Sequence, residues 1–159
     1  MPMKYHVDRS LGYLSQVVSK AMGKRLQHHF EENDMEVTID QWLALIYLEN
    51  NSQVNHFQLG EFCNKDKAGI TRVVDALEQQ EYVRRVPSKK DRRNKFIEIS
   101  DKGITFTQKL KDMGQVTNVE ATQGISEADL ETCKKVLRQV MENLKTCDNQ
   151  EDEFLDRVH

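Results

Sequence analysis

The sequence changes its apolar periodicity once, between residues 82 and 99. Before and after that stretch, apolar residues recur every three or four positions, as they do on one face of an α-helix. Within it, Ile97 and Ile99 flank the charged Glu98, which is the alternation typical of a β-strand. Pro87 is the one proline after position 2, so no proline interrupts the helical segments. We therefore expect a mainly α-helical fold with a small β-hairpin.

Polar residues mark where the helices begin. The sequence predicts helices at about 8–31, 39–50, 56–63, 67–80 and 101–121 and a last one after Ser126. Thr38 with Gln41 forms a capping-box pattern, and Asp66 is expected to cap the fourth helix. Because only a short polar turn precedes Asp66, the third and fourth helices have the pattern of a helix-turn-helix, in which the second helix usually contacts DNA.

The charge of the sequence is distributed unevenly. The whole chain carries a net charge of −3, which by itself disfavours a polyanionic partner. Residues 65–95, however, contain ten basic and five acidic residues, a net charge of +5, whereas residues 112–159 have a net charge of −6 from five basic and eleven acidic residues. Five of the seven residues from Lys89 to Lys95 are basic. A basic centre between acidic ends favours nucleic-acid binding.

Several other classes of protein are disfavoured by the sequence. The longest apolar run, Trp42–Leu48, is much shorter than the roughly 20 residues of a membrane span, and no signal peptide is visible. The scattered Cys63, Cys133 and Cys147 lack CxxC spacing, which favours a reducing cytoplasm and thiols that behave as small apolar side chains. The five histidines lack metal-ligand spacing, and no hydrolase, P-loop or Rossmann motif is present. We therefore expect no metal, no cofactor and no enzymatic activity.

A helix-turn-helix followed by a hairpin with a basic tip is the order of elements in a winged helix. The sequence thus predicts binding of double-stranded DNA. Two alternatives remain open, a winged helix that serves as a protein-interaction or RNA-associated module, and a metal- or redox-gated sensor. The basic hairpin favours DNA, because a wing in a protein interface does not need such a concentration of positive charge.

Five segments in this order resemble the MarR family of bacterial transcription regulators. They are Val37–Trp42, Gly69–Glu78, Tyr82–Arg85, Asp91–Arg93 and Ile99–Gly103. The resemblance covers roughly residues 8–145. It implies a cytoplasmic homodimer that binds a pseudo-palindromic DNA operator, more often as a repressor than as an activator. Many members of the family release DNA when a small anionic or phenolic ligand, or an oxidant, binds.

The resemblance and the helical spacing together predict the residues that contact DNA. With Ile70 and Val74 facing inward, a turn of 100° per residue places Ala68 and Arg72 on the outward face. Arg72 can bind guanine through two hydrogen bonds, and the resemblance implies that Asp91 pairs with Arg93 in the wing while Arg93 or Arg92 enters the minor groove. The predicted DNA contacts are Lys65, Lys67, Ala68, Gly69, Thr71, Arg72, Lys89, Lys90, Asp91, Arg92, Arg93 and Lys95.

The resemblance also implies a division of the chain and a place for the ligand. Residues 1–35 and 101–147 are expected to form dimerisation helices around a winged-helix domain at 36–100, with an acidic tail at 148–159. The ligand is expected between the dimerisation helices and the winged domain, near Tyr13, Trp42 and Ile46.

The sequence departs from the family's pattern at two points. Glu81 stands where a glycine is usual after the fourth helix, the expected recognition helix. Because glycine suits a left-handed helix end, either Glu81 adopts a strained backbone conformation or the turn differs. The first helix also lacks the reactive cysteine of the oxidant-sensing members, which argues against oxidant sensing of that kind.

Overall fold

The computed structural model describes residues 6–87 and 95–156, with side chains up to residue 145. A short 3-10 turn (Val7–Arg9) precedes the first helix. The elements that follow are α1 (Leu11–Glu32), α2 (Ile39–Asn50), α3 (His56–Cys63), α4 (Lys67–Gln79), β1 (Val83–Pro87), β2 (Lys95–Ile99), α5 (Asp101–Ala121) and α6 (Glu127–Asp156). The predicted order of helices and strands is confirmed, and the fold is mainly α-helical with one antiparallel hairpin.

The helices begin where side chains accept hydrogen bonds from the first free N–H groups. Thr38 and Gln41 form the predicted capping box at the start of α2, with Gln41 N donating to Thr38 Oγ1 at 3.2 Å. Asp66 Oδ1 accepts from Gly69 N at 2.7 Å at the start of α4, as the sequence predicts. An additional capping box, Asn55 with Gln58, begins α3. These caps define three short helices in close succession.

The hairpin pairs β1 with β2 in an antiparallel register. Val83 lies opposite Ile99, and Pro87 lies opposite Lys95. The N–H of Ile97 also donates to the carbonyl oxygen of Val54 at 2.7 Å, which joins the segment before α3 to the sheet. The hairpin is therefore attached to the helical domain at its base, and its tip, residues 88–94, lies outside the described residues.

One apolar core connects helices on both sides of the predicted winged domain. Phe30 from α1 and Leu110 from α5 are fully buried together with residues of the central elements. The central members of this core are Leu45, Leu59, Ile70, Leu77 and Ile97. By its contacts the chain divides into one compact unit up to residue 118 and a second from residue 119. The end of α1 and most of α5 thus share a core with α2, α3, α4 and the hairpin, while the functional division expected from the sequence stays a prediction.

The second unit consists mainly of α6. Ser126 caps it as predicted, with Asp129 N donating to Ser126 Oγ at 3.1 Å. The helix continues to Asp156, so the backbone of most of the expected acidic tail is helical. No glycine or proline interrupts residues 127–156, which explains why the helix does not end before the acidic stretch.

The turn after α4 contains the residue that departs from the family's pattern. Glu81 has a φ of 63°, in the left-handed region that favours glycine. Its N–H donates to the carbonyl oxygen of Glu78 at 3.0 Å, and the N–H of Tyr82 donates to that of Leu77 at 2.9 Å. The chain therefore keeps the left-handed helix end and places a glutamate in it.

Candidate nucleic-acid interface

Helix α4 has one buried face and one exposed face. Ile70, Val74 and Leu77 are buried, and Val73 is half-buried against the core. The opposite face, predicted from a turn of 100° per residue, consists of exposed side chains. These exposed residues are Ala68, Arg72, Asp75 and Gln79. The orientation predicted for this helix is thus confirmed, whereas its contacts with DNA stay a prediction.

The N-terminal turn of α4 is held by its cap. A Cβ at Gly69 would lie 2.9 Å from Asp66 Oδ1, so a larger residue would disturb the cap. Lys67 and Ala68 are exposed, and Thr71 is half-exposed with its hydroxyl donating to the carbonyl oxygen of Lys67 at 2.7 Å. Apart from Lys67, the side chains at this end of the helix are small or short, which leaves the backbone there accessible to a ligand.

Lys65, in the turn before α4, forms an ion pair with Asp40 on α2. Its Nζ lies 2.9 Å from Asp40 Oδ2 on α2. A cavity of about 330 Å³ lies next to this pair, lined by Thr38, Asp40, Gln41, Lys65, Asp66, Gly69, Arg72 and Val73. The pairing lowers the charge that Lys65 offers to a phosphate, a consequence that the sequence does not reveal.

A cluster of charges that the sequence does not predict joins α4 to the hairpin. The guanidinium of Arg85 on β1 contacts the carboxylates of Asp75 and Glu78, which lie on α4. The Arg85 side chain is only 19% exposed. Partial burial acts to lower the pKa of Arg85, but hydrogen bonds to Asp75 and Glu78 outweigh it and raise that pKa. Arg85 belongs by sequence to the basic segment at 65–95, yet two carboxylates within the protein compensate its charge.

His56, the first residue of α3, lies beside this cluster. Burial lowers the pKa of His56, and the neighbouring charge of Arg85 lowers it further. Asp75 and Glu78 act in the opposite direction with smaller effects. His56 is therefore neutral over a wider range of pH than an exposed histidine.

The hairpin carries the remaining described part of the basic surface. Arg84 is exposed and pairs with Glu98 on the opposite strand, Nη2 to Oε2 at 3.0 Å. Lys95 is exposed at the beginning of β2. The other predicted wing residues, Lys89, Lys90, Asp91, Arg92 and Arg93, lie outside the described residues.

The three residues expected near a ligand occupy different environments. Trp42 and Ile46 are half-buried and lie one turn apart on α2, whereas Tyr13 is exposed on α1. The indole N–H of Trp42 is buried, and no acceptor among the described residues receives its hydrogen bond. The ring lies near α5, since a Cβ at Gly114 would be 3.4 Å from Trp42 Cζ2. Trp42 thus offers an unused hydrogen-bond donor where α2 packs against α5.

A larger cavity lies between α3 and α4. It has a volume of about 630 Å³ and is lined by His56, Phe57, Gly60, Glu61, Asn64, Lys65, Asp66, Lys67 and Ile70. The sequence does not predict this cavity, because its position depends on how α3 packs against α4.

A helix-turn-helix with an exposed reading face, followed by a hairpin that continues a basic segment, defines a winged-helix DNA-binding protein. Comparison with known families agrees, since the model of the MarR family matches residues 37–95. This match covers the winged-helix part of the chain and confirms the resemblance to the MarR family of transcription regulators that the sequence predicts.

One named relative and two solved structures are similar to this chain. The HTH-type transcriptional regulator SarZ of Staphylococcus aureus is 28% identical over 108 residues, which cover 68% of this chain and 72% of that protein. BpsR of Bordetella bronchiseptica, whose DNA binding is regulated by 6-hydroxynicotinic acid, is similar with a TM-score of 0.78 and 16% identity over 87% of this chain and 98% of its own.

A cysteine-to-serine mutant of MarR from E. coli, complexed with operator DNA, is similar with a TM-score of 0.74 and 21% identity. The match covers 82% of this chain and 92% of that chain. At these identities the two solved structures establish the shared fold.

Two further features concern only the part of the chain that the structure describes. None of its helices combines the length and the apolar character required to cross a membrane. Its His, Cys, Asp and Glu side chains form no group of three that could hold a metal ion.

Proposed function

We propose that this protein is a cytoplasmic homodimer that binds a pseudo-palindromic operator and represses transcription until a small anionic or phenolic ligand releases it. The observation that carries the proposal is the exposed face of α4, where Ala68 and Arg72 project from a helix whose opposite face is anchored in the core. Such a helix can enter the major groove without losing its packing.

The chemistry of this face suits base recognition. The guanidinium of Arg72 can donate two hydrogen bonds to O6 and N7 of guanine, and the methyl groups of Ala68 or Thr71 can contact thymine. Lys67 and Lys95 are exposed and can neutralise phosphates on either side. Arg92 and Arg93, at the tip of the wing, are proposed to reach the minor groove.

Exposed apolar residues support the homodimer. Leu11, Leu14 and Val18 on α1 are each about half exposed. On α6, Leu137 is 39% exposed and Leu144 is 61% exposed. In water such apolar surfaces favour association with another surface. We expect sedimentation to give a dimer and Leu137→Glu to shift it toward monomer, whereas Lys134→Glu, an exposed polar position of the same helix, leaves the dimer intact.

Selection of bound fragments from genomic DNA tests the regulator itself. Fragments that share an inverted repeat are expected, and their affinity should fall with salt by a slope of about −0.9 for each neutralised phosphate. A protein that selects no common sequence, or a complex insensitive to salt, would contradict DNA recognition. Such a protein would fit better the alternative of a winged-helix module for protein or RNA contacts.

The ligand proposal is supported by Trp42. Its buried N–H lacks an acceptor among the described residues, and a carboxylate or phenolate oxygen would supply one. Trp42 is also the single tryptophan of the chain, so its fluorescence reports on this place alone. A hydroxybenzoate should quench this fluorescence in the parent protein and lower operator affinity, and Trp42→Phe should weaken the loss of operator affinity. Release of DNA that is equally strong in Trp42→Phe would place the ligand elsewhere.

A further inference from the structure

Arg85 belongs to the basic segment by sequence, but its guanidinium faces α4. Nη2 contacts Asp75 Oδ1 at 2.5 Å, and Nη1 contacts Glu78 Oε2. The backbone N–H of Arg85 also donates to the other carboxylate oxygen of Glu78, at 3.1 Å. Two carboxylates therefore hold both the side chain and the backbone of this one residue, which restricts its movement relative to α4.

The position of this cluster connects the two parts of the DNA-binding surface. Asp75 lies one turn after Arg72 on the same exposed face of α4. On the other side, β1 continues from Arg85 to Pro87 and leads directly into the basic tip of the wing. The cluster is thus the point where the base of the wing is joined to the outward face of the recognition helix.

We propose that Arg85 is a positioning residue that fixes the angle between α4 and the wing, so that both meet one operator half-site at the same time. The inference rests on the proposed function. A protein that contacts the major groove and the neighbouring minor groove together needs a fixed spacing between the two contacts. If the spacing varied, the wing would have to become ordered before both contacts could form. This loss of conformational freedom would lower the affinity for the operator.

Electrostatics distinguishes positioning from a direct phosphate contact by Arg85. If Arg85 contacted a phosphate, removal of Glu78 would free the guanidinium and remove a negative charge near DNA, so binding to any duplex would strengthen. If Arg85 positions the wing, the same change releases the wing. Operator binding then weakens although the protein has become more positive, while binding to unrelated DNA does not weaken.

The experiment compares Glu78→Ala with Glu61→Ala, which removes an exposed carboxylate from α3 outside the cluster. Affinities for the selected operator and for an unrelated duplex are measured by fluorescence anisotropy, and contacts by hydroxyl-radical footprinting. For Glu78→Ala we expect about a tenfold loss of operator affinity, the equivalent of one charged hydrogen bond, without loss on the unrelated duplex. Protection by the wing should decrease while protection by α4 persists, and Glu61→Ala should not lose operator affinity.

The charge-swapped pair Glu78→Arg with Arg85→Glu should recover most of the operator affinity that Arg85→Glu alone loses. Circular dichroism checks the fold of each variant, and Glu78→Gln replaces Glu78→Ala if the latter does not fold, because it retains an acceptor for the Arg85 N–H. Operator binding by the Glu78 variant as tight as or tighter than that of the parent overturns the positioning role and leaves the proposed function standing. If the parent selects no operator at all, the proposed function fails and the inference fails with it.

Discussion

Gly103, at the start of α5, lies so close to the carbonyl oxygen of Tyr82 that a Cβ at this glycine would overlap it. The same Cβ would come within 2.7 Å of the Ile99 side chain. Ser100 reinforces the contact, since its N–H donates to Tyr82 O at 2.9 Å and its hydroxyl donates to Glu81 O at 2.7 Å. The turn after the recognition helix, the end of the hairpin and the start of α5 therefore meet at one point.

Gly103→Ala should destabilise the protein, because the neighbour on one side is backbone and cannot move without displacing the turn after α4. We expect a loss of about 1–3 kcal/mol in the free energy of unfolding, measured by urea denaturation. Gly23→Ala is the matched control within a helix, since a Cβ there would have no atom within 4 Å. It should be neutral or stabilising, by up to about 1 kcal/mol, because alanine favours helix more than glycine does. Equal effects of the two substitutions would contradict the close approach.

Glu81→Gly should have the opposite effect. Glu81 adopts a φ of 63°, which costs an L-residue about 1–2 kcal/mol and costs glycine little. Glycine gains freedom in the unfolded chain, and the exposed Lys102–Glu81 ion pair, at 3.5 Å, is lost. We expect a net gain of about 0.5–1 kcal/mol by thermal or urea denaturation. Glu81→Ala keeps the strain of a left-handed backbone at an L-residue and also loses the ion pair, so it should not be stabilising.

The local parts of this fold could be predicted from the sequence because short-range rules control them. The caps Thr38 and Asp66 depend on residues three positions away, and the buried face of α4 depends on helical spacing alone. The left-handed residue Glu81 shows the limit of such rules, since the sequence indicated a choice between backbone strain and a different turn, and the structure has the strained conformation.

The long-range contacts could not be predicted in the same way. Arg85 and Glu78 look like two members of a mixed charged segment, and only the packing of β1 against α4 brings them together. The pairing of Lys65 with Asp40 likewise requires the angle between α2 and the turn before α4. Composition counts such residues as available charge, whereas the folded chain uses them internally.

Stability should depend on the protonation of His56. Its pKa in the folded protein is lowered from 6.5, first by burial and then by Arg85. The unfolded chain therefore takes up the proton first, so the free energy of unfolding should fall as the pH decreases from about 7 through 6.5 to the lowered pKa of the folded state. His56→Asn should remove this part of the pH dependence in urea titrations at several pH values. Parallel losses of stability in parent and variant would contradict the assignment.

Cys63 should be chemically inert in the folded protein. Burial raises the pKa of its thiol from 9.0 to about 11, and the nearby Asp40 acts in the same direction. Because the thiolate is the reactive form, the shift alone lowers its fraction about 100-fold near pH 8. A variant with Cys133→Ser and Cys147→Ser should react slowly with a thiol reagent when folded and rapidly in urea.

Replacing all three cysteines by serine should leave any release of DNA by peroxide unchanged. If peroxide releases DNA from the parent but not from that variant, the protein contains a thiol sensor.

Arg72→Ala should remove base recognition and leave phosphate binding largely intact. Arg72 is exposed on the outward face of α4, where a pair of hydrogen bonds to guanine is worth about 1–3 kcal/mol of discrimination. Against a panel of single-base operator variants, the substitution should abolish the preference at one position of each half-site. Gln79→Ala, on the same face at the far end of the helix, is the matched control and should retain the preference. Arg93→Ala should instead weaken operator and unrelated duplexes alike and reduce the salt slope by about one unit per contact. A uniform loss across the panel for Arg72→Ala would show that this face of α4 does not read the bases.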